Sequence, residues 1–110
     1  MTSESVRELV EREIAGEWPL TNAHGCDLQQ CLVAPALREY EDCGSGRPLV
    51  DPLPSIKLWL VLEENPDDCS GYKVVFGEDS GMFGLAMSNA TGRDVFLGFY
   101  GTFREAYSAM

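Results

Sequence analysis

Between Ile56 and Tyr100 apolar residues recur at every second position, and short polar stretches interrupt the pattern. A period of two is the mark of a pleated strand, whose side chains point alternately to opposite faces. Ile56 to Glu63 sets Ile56, Leu58, Leu60 and Leu62 on one face and Trp59 and Val61 on the other. Apolar groups on both sides mark a central strand. Tyr72 to Phe76 repeats the pattern, as do Phe83, Leu85 and Met87, and then Val95, Leu97 and Phe99. The intervening turns are rich in Asn, Asp, Gly and Ser, with Pro66 in the first. Connections this short join antiparallel neighbours, so a meander of three to four strands is expected.

Helices bracket this sheet. Ser5-Val6-Arg7-Glu8 has the form of a capping box, and Val6, Leu9, Val10 and Ile14 follow at helical spacing up to Gly16 and Pro19. Thr102 to Glu105 is a second box, followed by Ala106, Tyr107 and Met110, with Gly101 as a sharp strand-to-helix turn. The middle is irregular. Thr21 to Pro35 fits a short helix or an extended run, Ala36 to Asp42 shows neither period cleanly, and glycines and prolines fill 43–54. The expected fold is one α+β domain over 1–110. It runs from an N-terminal helix through an irregular segment and an antiparallel meander to a C-terminal helix, in a two-layer sandwich. The helices are expected on the face made by Leu58, Leu60, Val74, Phe76, Leu85 and Leu97.

Charge narrows the function. The chain has 18 acidic and 8 basic residues, a net charge of −10. Nucleic acid and anionic membranes need a basic face, so neither is an expected partner. No basic start with an apolar run marks a secretory signal, and the longest apolar run, Leu58 to Leu62, is far short of the ~20 residues of a membrane span. A cytoplasmic protein with reduced thiols is expected. Asn89-Ala90-Thr91 then reads as a chance glycosylation sequon.

Three groups of residues are candidates for chemistry or binding. His24, Cys26, Cys31 and Cys43 are zinc-type ligands, but they lack the paired Cys-x2-Cys spacing of structural zinc sites. His24, the only histidine, is also the only imidazole available for acid–base work. Glu63, Glu64, Asp67 and Asp68 cluster at a turn, where carboxylates are solvated and project a field. Trp59, Phe96 and Tyr100 fall on the sheet face away from the helices, with Gly84, Ala86 and Gly98 as a shallow floor. That face is either an exposed recognition surface or is covered by the 19–54 segment. No catalytic motif or cofactor signature is present, so the expectation is a non-enzymatic protein that recognises a basic protein partner. Metal or thiol chemistry, and small-molecule binding on the glycine floor, are the alternatives.

Overall fold

Strand β2 (Ser55–Asn65) is buried without a break from Leu58 to Glu63, so both its faces meet packed side chains. This is the central strand that the two-sided apolar pattern predicts. The computed structural model describes residues 2–14, 31–42, 55–65, 70–88 and 94–109. Helix α1 (Ser3–Ile14) leads to β1 (Leu32–Asp42), then β2. Strands β3 (Ser70–Gly77), β4 (Met82–Ser88) and β5 (Asp94–Gly101) follow, and α2 (Phe103–Ala109) ends the fold.

Consecutive strands pair antiparallel along the whole meander. The order helix, meander, helix is therefore as expected, with five strands rather than three to four. The added strand is β1, in the stretch whose period is not clean. Two features blur it. Its outer residues Leu37 and Glu39 are exposed, as is Arg38. Pro35 also falls where the register slips, between the pairs Leu32↔Leu62 and Ala36↔Leu60. Proline cannot donate to a ladder and is tolerated at such irregularities. The Ser3 hydroxyl on α1 donates to the Pro35 carbonyl at 2.6 Å, tying the irregular segment to the helix.

The sheet also curls until β1 meets β5. Glu41 pairs with Val95 and Asp42 with Phe96 in parallel, and the five strands close into a barrel. Closure divides the core in two. One cluster lies between sheet and helices, where Val6, Val10 and Ile14 of α1 and Phe103, Ala106 and Tyr107 of α2 meet Trp59, Val61, Leu62, Val74, Phe76, Phe83 and Leu85. The other fills the barrel with Tyr40, Leu58, Leu60, Val75, Ala86 and Phe96.

This division corrects the expected face. The ladder sets Trp59 opposite Phe76 and Leu60 opposite Val75. Trp59 and Val61 thus share the helix side with Val74 and Phe76, while Leu58 and Leu60 point into the barrel. A one-residue offset in register moves every side chain of a strand to the other face. The second face is covered by curvature of the sheet itself. Within 19–54, β1 joins the sheet instead of lying over it and Cys31 packs in the helix-side cluster; residues 19–30 and 43–54 lie outside the described residues.

Of the two helix caps one differs from the expected box and one matches it. α1 is capped by Thr2, one turn before the expected box: the Ser5 amide donates to Thr2 Oγ1 at 3.2 Å and the Thr2 amide to Ser5 Oγ at 2.9 Å. For α2 the Glu105 amide donates to Thr102 Oγ1 at 3.2 Å, as the second box predicts. The Phe103 amide donates to Glu13 Oε1 at 3.1 Å, so α1 satisfies the start of α2. Gly101, at φ 108°, makes the turn between β5 and α2.

Leu60 is 2% exposed in the barrel cluster. Leu60→Ala is expected to lower unfolding free energy by about 2–5 kcal/mol, because the barrel cannot collapse around the lost atoms. Urea unfolding of both proteins measures this, and a loss under about 1 kcal/mol would contradict the packing described.

Candidate functional site

The residues expected to form one aromatic recognition face are not brought together. Trp59 (9% exposed) is on the helix side and Phe96 (3%) is inside the barrel. Of the three, only Tyr100 is exposed, at 45%. The glycine floor is likewise filled. A Cβ on Gly84 would lie 2.3 Å from the Gly98 carbonyl oxygen and 2.9 Å from the Phe96 ring. Close approach of backbone and aromatic is what requires glycine there.

The turn carboxylates separate too. Glu63 is buried, and its partner across the β2–β3 ladder is Lys73, also buried. Glu64 is half-buried, and its Oε1 accepts the Tyr72 amide at 3.1 Å, closing the connection between those strands. Neither projects a field into solvent as the turn reading expects. Asp67 and Asp68 lie outside the described residues, as do His24, Cys26 and Cys43. Cys31 is buried, with its thiol donating to the Glu64 carbonyl at 3.6 Å. Among the described residues no cluster of His, Cys, Asp and Glu is arranged to hold a metal. No helix among them is long and apolar enough to cross a membrane.

What the structure assembles instead lies along β1 and β2 at the barrel's rim. Leu37, 52% exposed, borders a notch of about 250 Å³ with Ile56, Leu58 and Phe99. The β3–β4 turn supplies its lip, including exposed Glu78 and Asp79. Further along the same ladder, Glu39, Tyr40, Glu41, Ser55 and Asp94 line a second, open notch of about 220 Å³. It sits where β1 meets both neighbours, since Glu41 pairs with Ser55 on β2 and with Val95 on β5. The Ser88 hydroxyl donates to Asp94 Oδ1 at 2.8 Å and orients that carboxylate.

Tyr40 joins the barrel interior to this second notch. It is 1% exposed, and its hydroxyl meets no hydrogen-bond partner among the described residues; the same is true of Glu63 Oε2. Leaving a buried hydroxyl unmade costs about 1–3 kcal/mol. Burial, then the negative fields of Asp94 and Glu63, push the phenol well above its usual range, and Arg38 opposes them. Sequence reasoning missed Leu37 and Tyr40 because β1 carries no clean period. The visible signal was the alternation of acids around Tyr40 in Glu39-Tyr40-Glu41.

The chain matches no protein-family model, no curated protein and no solved structure. Geometry and charge therefore carry the functional reading.

The raised Tyr40 ionisation has a pH consequence. Near neutral pH the phenol is protonated in folded and unfolded chains alike. Above the ordinary value of 10.0 the unfolded chain ionises first, so stability is lost as pH rises from there. Tyr40→Phe is expected to be neutral or stabilising by up to about 1 kcal/mol at neutral pH, and to lose less stability than the parent at about pH 11. Denaturant melts of both proteins at the two pH values test this. An equal alkaline loss in both would show that Tyr40 is not the group responsible.

Proposed function

We propose that the protein is a non-enzymatic recognition domain for a basic protein partner, which docks on the rim of the barrel along β1 and β2. The observation that carries this reading is the notch at Leu37: an apolar floor whose rim holds Glu78 and Asp79 together with Lys57, on a chain of net charge −10. Its volume of about 250 Å³ suits one side chain of a partner better than an enclosed metabolite, whose pockets run to roughly 300–1,000 Å³. An apolar anchor lodged there is desolvated, and desolvated anchors hold the bound state. The exposed acids Glu8, Glu39, Asp79 and Glu105, on a chain of net charge −10, supply a negative field that speeds encounter with a basic surface.

Anchor and field act on different rate constants. Affinity capture from native lysate at low salt is expected to recover a basic protein with the parent chain, and to lose it with Leu37→Asp. In kinetics with that protein, Leu37→Ala should raise the dissociation rate about tenfold, whereas Asp79→Lys should slow association and weaken its salt dependence. Recovery of the same material by parent and Leu37→Asp, or of an acidic protein, would refute the reading.

A further inference from the structure

Strand β1 is paired along one flank only. From Ala36 to Glu41 every residue has a partner on β2, whereas β5 reaches β1 only at Glu41 and Asp42. In an antiparallel pair alternate residues turn N–H and C=O toward the partner, and those between turn theirs to the other flank. Among the described residues no hydrogen bond is made on that flank between Ala36 and Glu39. Burial agrees. Leu37, Arg38 and Glu39 are exposed in succession, and no other strand among the described residues has three exposed residues in a row. Arg38 stands opposite Leu58, on the barrel side, and Leu37 and Glu39 point to the outer face. Exposure on both faces of a strand that is fully paired to β2 places the opening on its other flank. We propose that this flank is a strand-addition site, on which the basic partner docks an extended segment edge to edge along residues 36–40. The inference rests on the recognition reading above and names how the partner is held. Leu37 belongs to both, since it also borders the apolar notch.

The residues of the flank select against a second copy of this chain. Two identical strands that pair antiparallel about a two-fold axis keep each face on the same side, so the axis passes through one residue and sets it opposite its own copy. Centred on Arg38 or Glu39, such a pair opposes like charges; centred on Tyr40, it opposes Glu39 to Glu41. Like charges directly opposite are destabilising. Centred on Ala36 or Leu37, it draws in Pro35, which has no N–H to give the ladder. A different chain escapes both penalties. Neither Arg38 nor Glu39 has an ion pair among the described residues. Opposite charges and apolar neighbours stabilise cross-strand pairs, so the complement of Leu37-Arg38-Glu39 is an apolar residue, an acid and a base. Run antiparallel, the partner segment reads base, acid, apolar from its N-terminal end. Main-chain bonds hold such a segment, and its alternate side chains fix the register.

The probe is the blocked heptapeptide Ac-Thr-Thr-Lys-Glu-Val-Thr-Thr-amide, neutral overall, added to the full chain and followed by amide exchange and chemical shifts. In the free chain those amides of residues 36–39 that face away from β2 are expected to exchange fast, and the peptide to protect them. The isomer with Lys and Glu exchanged has the same composition and should bind about fivefold more weakly. Arg38→Glu combined with Glu39→Arg should reverse that preference. Two further peptides carry N-methyl groups on alternate residues. The one methylated on the side facing β1 should lose binding by about tenfold or more, and the other should bind like the first peptide. Slow exchange of those amides in the free chain would show the flank occupied by another part of the chain. Protection that rises with protein concentration alone would show a second copy. Either result overturns the proposal, as would equal binding by the two isomers or by the two methylated peptides. If no peptide binds while Leu37→Asp still abolishes capture of a basic protein, strand addition falls and the recognition reading stands. If the peptides behave as expected while capture is insensitive to Leu37→Asp, strand addition stands and the apolar anchor falls.

Discussion

Six consecutive residues of β2, Leu58 to Glu63, are buried on both faces, and every other element is arranged to cover one face or the other. On the outer side the helices do so. An aromatic series runs from Phe76 to Phe83 at 4.8 Å, to Phe103 at 5.5 Å and on to Tyr107 at 5.9 Å, carrying the packing from sheet into α2. On the inner side the sheet covers itself by curling. Burying a large apolar side chain contributes about 1.5–3 kcal/mol, so neither face could be left open without a large fraction of a small domain's stability.

Closure gives the barrel a particular weak place. β1 is paired with β2 along most of its length, but its parallel contact with β5 is confined to Glu41↔Val95 and Asp42↔Phe96. The rim around this join is where Tyr40, Glu41 and Asp94 converge, and apolar Leu37 reaches solvent further back along β1. The barrel interior beneath is not wholly apolar, because Glu63 and Lys73 are buried across one rung of the ladder and Tyr40 lies within the field of Glu63. Buried polar groups raise the cost of misplacing their strands.

The candidate site was only partly legible. The acidity of the chain is a property of composition and needs no coordinates. The location of that acidity is different. Glu63 and Glu64 stand beside a turn in sequence, yet one is carried inside and the other binds the Tyr72 amide. Trp59, Phe96 and Tyr100 looked like one face because each alternates correctly within its own strand. They end in three environments: the helix-side core, the barrel interior and solvent.

By itself the sequence determined what depends on neighbours within a few residues. The alternation from Ile56 to Phe99 specified strands and a meander, and the spacing from Val6 to Ile14 specified a helix. So did Thr102 and Gly101 at the start of α2. Only the tertiary structure decided which alternate faces belong together. That depends on the register between strands, and the ladders slip between Leu60 and Leu62, between Glu63 and Asn65, and within the β4–β5 pairing. Each slip interrupts the strict alternation of a strand, so that neighbouring Val61 and Leu62 both face the helices and Phe96 and Phe99, three apart, both face the barrel. Barrel closure is likewise a sum of twists over five strands, expressed only when β1 reaches β5, and no local stretch of the chain contains it.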